Sequence, residues 1–348
     1  MLLKYCALSS RALLIATMAL ISPVGRAQDN GCGGTGLASG TYTIPHAGLQ
    51  RTFKLLVPFS YNNRVPSRMV LIFHGWGGDE NEFLRDPRVI QEANSRGYIV
   101  VAPRGIGAGP PDNRNNSWTF RGSATGRAAN DDNAVCDTSI TPRYTYPSCQ
   151  SRIALNSCSW TQCQDNDVEF VVALVQHLQS SMCVDAGHVF AAGGSNGGMF
   201  TWELGQNPRT APLFKAIAPL IGLPHRGYLD GPGRSGKMPV LLITGLSDNT
   251  VPPGAWDDPR FTTTSNDRDR FYYTGATAIT RVWAAAAGCK IGPKEIPADV
   301  GSAAADCRSY CTNKDSEWPA VLDCRARMGH DYGLPWSWKL MLDFFDRQ

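Results

Sequence analysis

The stretch AAGGSNGGMF, Ala191 to Phe200, packs four glycines and one serine between two apolar runs. Glycine loses more backbone freedom on folding than any other residue. Such crowding is unfavourable unless the chain needs positive φ or very close backbone approach. The flanking residues supply the setting: HVFAAGG (188–194) reads as a short apolar strand, and SNGGMFTWELGQN (195–207) starts a helix. Gly193-Gly194-Ser195-Asn196-Gly197 is then a Gly-x-Ser-x-Gly pattern at a strand-to-helix turn. There the serine occupies a sharp, strained bend that lifts its hydroxyl above the sheet edge. The backbone N–H of Asn196, at the helix start, points to where an oxyanion would form. A plain packing turn is the competing reading, and partners elsewhere in the chain decide between the two.

Outward from this stretch, RTFKLLVPF (51–59), SRMVLIFHG (67–75) and YIVVAPRG (98–105) read as strands. The last is an unbroken apolar run of the kind buried on both faces of a sheet. A helix is expected over roughly 80–95. Further strands are expected at 215–223, 238–248 and 320–330, with helices at 165–181, 275–287 and from Trp336 onward. Strands alternating with helices predict an α/β fold: a largely parallel central sheet with helices on both faces, as a single domain over 28–348. Residues 107–164 are polar, rich in Gly, Pro and Asn, and carry four cysteines. That is long for a loop, and the cysteines predict an ordered, disulfide-tied insertion.

A serine needs a base to take its proton and an acid to orient that base. His330, in MGHDYGLPW after the 320–330 strand, lies where parallel sheets place their chemistry. His46, His177, His188 and His225 read as surface or loop residues, and His74 as structural. Asp248 ends MPVLLITGLSD, a buried strand, whereas Asp230 and Asp257 fall in looser segments. The order Ser195, Asp248, His330 is the nucleophile–acid–base order of α/β-hydrolases. FHGWGG (73–78) offers a second oxyanion donor, with the Trp76 N–H preferred beside that of Asn196.

The remaining composition sets the context. MLLKYCALSSR followed by ALLIATMALISPV and GRA has the layout of a secretory signal over residues 1–27. The apolar run is shorter than a membrane anchor needs. Removing those residues takes away Lys4, Arg11 and Arg26 and no acid. Of the 33 basic and 30 acidic side chains, 30 and 30 remain. A balance near zero argues against nucleic-acid or anionic-membrane partners. Nothing implies an obligate protein partner. Ten of the 11 cysteines remain, an even number in an exported chain, and their spacings do not fit zinc sites. No metal or cofactor is expected. Expected disulfides are Cys289 with Cys324, Cys307 with Cys311, and Cys183 with Cys158 or Cys163. Asn115-Asn116-Ser117 is a glycosylation sequon, with Asn115 the acceptor.

HGWGG, GGSNGGMF, LLITGLSDNTVP and GHDYGLPW together resemble the secreted esterases of the feruloyl esterase and polyhydroxybutyrate-depolymerase-like group of α/β-hydrolases. The resemblance runs from about Gly40 to the C-terminus. It implies Ser195 as nucleophile, Asp248 as acid and His330 as base. It also implies an ester substrate from plant cell-wall polysaccharide (feruloyl or acetyl) or from a polyester. A ferulate ring needs an aromatic-lined pocket, and Trp76, Trp118, Trp160, Trp336 and Trp338 are the candidates, Trp76 and Trp336 foremost. A polyester depolymerase would favour a flat apolar surface. A non-catalytic binding protein on this fold would have no need of all three triad residues.

Overall fold

The computed structural model describes residues 31–348 except 108–114, 130–132, 142–143, 145, 151–156, 165, 258–261, 290–293, 296–302 and 310–319. The expected leader over 1–27 and Cys311 lie outside the described residues.

In chain order the elements are β1 (Gly40–His46), β2 (Leu49–Leu56), β3 (Ser67–Phe73), α1 (Pro87–Arg96), β4 (Ile99–Pro103), α2 (Asp167–Ser181), β5 (Val184–Gly194), α3 (Asn196–Gln206), β6 (Ala216–Leu220) and β7 (Val240–Gly245). There follow β8 (Thr262–Thr264), β9 (Tyr272–Thr274), α4 (Ala276–Ala286), β10 (Lys294–Glu295), β11 (Ala305–Ser309), β12 (Val321–Ala326) and α5 (Trp336–Phe345). One sheet runs β1-β2-β4-β3-β5-β6-β7-β12-β11-β10, and β8 and β9 form a separate hairpin. The pairs from β4 through β12 are parallel, and the outer pairs at both edges are antiparallel. This is an α/β-hydrolase fold.

Side chains of a strand alternate between faces, so the fully buried strands supply two cores at once. Met69, Leu71 and Phe73 join α2, α3 and α4 on one face, through Phe170, Phe200 and Ile279 among others. Val70 and Ile72 join α1 and α5 on the other, through Val89, Trp338 and Phe345. The central strands stand where the apolar runs predict them. The expected helix over 80–95 is instead α1, preceded by a single 3-10 turn at Phe83–Arg85. Asp86 is extended before Pro87 and caps α1 by accepting from the Arg88 N–H, so the helix restarts there. Edge strands β1, β10 and β11 carry no expectation, because an edge strand buries one face weakly. In β1 only Ile44 is buried.

The expected disulfide partners are corrected. Cys324 bonds Cys307, not Cys289, because β11 and β12 are antiparallel neighbours and these residues face each other in register, Cα atoms 4.0 Å apart. Cys307 is thereby unavailable to Cys311. Cys183 bonds Cys32, whose neighbour Gly31 donates to the Gln179 carbonyl at the end of α2. Cys158 bonds Cys136, and Cys163 bonds Cys149, which ties the insertion to itself. Cys289 is also disulfide-bonded.

Of the two expectations for His225, surface or loop, the loop holds and the surface does not: the residue lies between β6 and β7, outside the named helices and strands, and is fully buried. Its ring is sandwiched between Phe120 (centroids 5.3 Å) and Tyr273 (5.1 Å), both nearly parallel to it. Its Nε2 accepts from the Trp160 indole N–H (2.9 Å), and its Nδ1 donates to the Tyr272 carbonyl (3.2 Å). Those two bonds specify the neutral Nδ1–H tautomer. Burial pushes its pKa down to about 4, against the bond to Tyr272, which raises it. Between that value and the ordinary one, the unfolded chain binds a proton that the folded chain refuses, so acid weakens the fold. We predict that His225→Gln is less stable than the parent at pH 7 and that this gap shrinks by roughly 3 kcal/mol on going to pH 4. Urea unfolding at a series of pH values measures it; a gap independent of pH contradicts the neutral buried ring.

Candidate active site

Ser195 has φ 53° and ψ −118°, a conformation that side-chain-bearing residues rarely adopt. The four glycines around it have ordinary φ; they are there for contact. A Cβ on Gly197 would sit 2.1 Å from the Phe73 carbonyl oxygen, and one on Gly193 would sit 2.4 Å from the Gly197 carbonyl oxygen. One on Gly198 would sit 2.6 Å from the Leu220 carbonyl oxygen. All three obstacles are backbone, which cannot move aside, so α3 presses onto the ends of β3 and β6 only with glycine at these positions. The Ser195 N–H donates to the Leu220 carbonyl (2.9 Å) and holds the bend.

Asp248 lies three residues beyond β7 and His330 four beyond β12, so with Ser195 they share the carboxyl edge of neighbouring strands. The two loops are joined backbone to backbone: Leu246 N–H to the Ala326 carbonyl (2.8 Å) and Ser247 N–H to the Met328 carbonyl (3.0 Å). Asp248 is buried. Its Oδ1 accepts from the N–H groups of Thr250 (2.9 Å) and Val251 (2.8 Å), and its Oδ2 lies 2.8 Å from His330 Nδ1. With Nδ1 donating to that carboxyl group, Nε2 is an acceptor, and it lies 2.8 Å from Ser195 Oγ. A continuous serine–imidazole–carboxyl chain results.

The loop after β3 is pinned on several sides. The Gly75 N–H donates to Glu82 Oε1 (2.9 Å), the Gly77 N–H to the Asn116 carbonyl (2.8 Å), and the Gly78 N–H to the Gly75 carbonyl (3.1 Å). His74 is buried, donating from Nδ1 to the Gly75 carbonyl and accepting at Nε2 from the Gly105 N–H. Burial lowers its pKa, so it stays neutral and structural. Among the described residues the Trp76 N–H alone in this run, 75–78, has no partner. Asn196 is the first residue of α3, where a helix offers no partner for the backbone N–H. The Asn196 side chain does something the sequence did not suggest: it pairs with both the N–H (2.7 Å) and the carbonyl (2.9 Å) of Trp118, docking the insertion onto the serine turn.

A cavity of about 200 Å³ opens beside Ser195, walled by Trp76, Tyr144, Trp160, Met199, Phe271 and Tyr273, with Asp267, Arg268 and Asp269 also lining it. The Trp76 indole N–H donates to the Tyr146 hydroxyl (2.7 Å), and its ring meets Tyr144 edge-on. Of the other tryptophans, Trp118 and Trp338 are core residues. Trp336, expected at the substrate, is half-buried at the start of α5 against Gly333 and does not line this cavity. No local signal marks the tyrosines and Phe271, which come from the insertion and from the hairpin region. Only folding brings those segments over the serine. Among the described residues no group of His, Cys, Asp and Glu could hold a metal.

No protein-family model matches the chain. A protein of Aspergillus niger named probable feruloyl esterase C is 28% identical over 170 residues, which is 47% of this chain and 58% of that protein. One of the same name from Aspergillus flavus is 23% identical over 245 residues, 68% of each. The chain thus aligns with little more than half of the first of these relatives. Among solved structures, an acetyl xylan esterase from Aspergillus awamori superposes with a TM-score of 0.55 at 13% identity, over 89% of this chain and all of that one, a likeness of fold alone. The chain is an α/β-hydrolase-fold protein similar in sequence to Aspergillus proteins named probable feruloyl esterase C.

Proposed function

We propose that this chain is a secreted serine carboxylic ester hydrolase acting on feruloyl and related hydroxycinnamoyl esters of plant cell-wall polysaccharide. The observation that carries the reading is the Ser195–His330–Asp248 hydrogen-bonded chain opening into an aromatic-walled cavity. The feruloyl esterase relatives support the substrate class, and the expected leader with several disulfides supports export. Asn115, exposed at the start of its sequon, is then available for glycosylation.

In this mechanism His330 Nε2 takes the Ser195 proton as Oγ bonds the ester carbonyl carbon. The carbonyl oxygen becomes an oxyanion, received by the Trp76 and Asn196 N–H groups. The imidazolium, oriented by Asp248, returns the proton to the departing alcohol oxygen as the C–O bond breaks. Water then adds to the acyl-serine with the same base, releasing the acid and restoring Ser195. Fixed N–H donors of this kind are worth about 2.7–4 kcal/mol each when removed. No cofactor enters any step.

Ser195→Ala is expected to leave the thermal unfolding midpoint nearly unchanged and to lower kcat by several orders of magnitude. Activity within about tenfold of the parent removes Ser195 from the mechanism. The substrate class is read by kcat/KM for methyl ferulate, p-nitrophenyl acetate and a hydroxybutyrate oligomer. Methyl ferulate should lead. Trp76→Ala should cost it about tenfold or more and cost acetate less, because only a large planar acyl group stacks on the indole. Equal losses would confine Trp76 to shaping its loop, and a preference for the oligomer would favour a polyester depolymerase.

A further inference from the structure

Glu82 belongs to neither the triad nor the cavity wall, yet it contacts both loops that serve the reaction. Its Oε1 accepts from the Gly75 N–H at 2.9 Å and also from the Tyr332 hydroxyl. Gly75 directly precedes Trp76, whose N–H is the proposed oxyanion donor. Tyr332 lies two residues after His330. The Tyr332 ring stacks on Phe83, the residue following Glu82 (centroids 4.7 Å, 20° between planes). The same ring fills the space a Cβ on Gly194 would need, with its Cε1 2.2 Å from that position. Its hydroxyl is 2.4 Å from where a Cβ on Gly75 would be. One carboxyl oxygen therefore ties the donor loop to the base loop, over a ring wedged against the residue preceding the nucleophile.

A purely structural account of Glu82 is strained by its surroundings. Among the described residues no Lys or Arg is ion-paired with it. A partly buried carboxyl group without a cation is costly to keep. Burial, reinforced by the Glu82 charge, holds the Tyr332 hydroxyl well above its ordinary pKa, so it stays a donor throughout the neutral range.

We propose that Glu82 is a positioning residue that sets the Trp76 N–H against His330 by bridging Gly75 and Tyr332. The proposal rests on the serine hydrolase reading above, and Ser195→Ala tests that reading separately. If the bridge sets alignment, its loss should fall on kcat more than on KM, because misplaced donors lose interactions made only in the transition state. Misplacement of about 1 Å at a reacting centre can cost on the order of 100-fold.

The experiment measures kcat and KM on methyl ferulate or p-nitrophenyl acetate for Glu82→Ala, Tyr332→Phe, their double variant and Glu82→Gln, with thermal unfolding of each. Glu82→Ala should lower kcat about 10- to 100-fold with KM little changed. Tyr332→Phe should lower it in the same direction. The double variant should be no worse than Glu82→Ala, since both break one tie. Glu82→Gln, whose amide oxygen can still accept both bonds, should recover most of kcat. Unchanged kcat in a folded Glu82→Ala, or fully additive effects in the double variant, overturns the proposal. Should Glu82→Ala fail to fold, Tyr332→Phe decides alone, because it leaves the Gly75 bond in place; there, unchanged kcat counts against the bridge. A dead Ser195→Ala beside an unaffected Glu82→Ala sinks the bridge and spares the hydrolase reading.

Discussion

Direct backbone-on-backbone packing around Ser195 is the constraint from which the rest of the site follows. Gly197 meets the Phe73 carbonyl, Gly198 the Leu220 carbonyl, and Gly222 the Ser195 carbonyl, each at distances no Cβ tolerates. The same closeness recurs where Gly245, ending β7, meets the Gly329 carbonyl one residue before His330. Removing side chains from these seams lets the ends of β3, β5, β6, β7 and β12 converge. Convergence puts the serine, the carboxyl group and the imidazole within hydrogen-bond reach although 135 residues separate Ser195 from His330. The uncommon φ of Ser195, which costs of order 1–3 kcal/mol, is sustained by this surrounding contact.

Upon that seam the insertion builds the far wall. Asn196 grips the Trp118 backbone, and the Trp118 ring stacks on Phe200 of α3 and meets Phe73 of β3 edge-on. Thr119 donates to Asp167, which pairs with Arg51 in a buried ion pair at 2.7 Å. Such a pair is weak evidence for stability, yet removing one partner leaves a buried charge. Two disulfides then close the insertion on itself. The cavity wall is in this way an outcome of docking: Trp160 is aimed by His225, Trp76 by Tyr146, and neither tyrosine nor histidine is near its tryptophan in the chain.

Local sequence suffices where a residue's role depends on its neighbours in the chain. The apolar runs marked the central strands because a strand buried on both faces must be apolar at every position. The strand–glycine–serine–glycine–helix succession marked the turn, and the order of Ser195, Asp248 and His330 at strand ends marked three side chains that the fold joins by hydrogen bonds. Edge strands were not legible: β1 buries only Ile44, and β10 and β11 depend on a neighbour across a ladder.

What the sequence by itself determined was the sheet's interior and the turn around Ser195, since apolar runs and glycine seams act over a few residues. Only the tertiary structure decided which cysteines meet, because Cys307 and Cys324 pair through the register of two strands and not through their spacing. It alone made His225, expected at the surface or in a loop, the buried plate between Phe120 and Tyr273, and left Trp336 out of the wall of the cavity beside Ser195. Burial and pairing across distant segments depend on how whole layers pack. Local composition does not encode that packing.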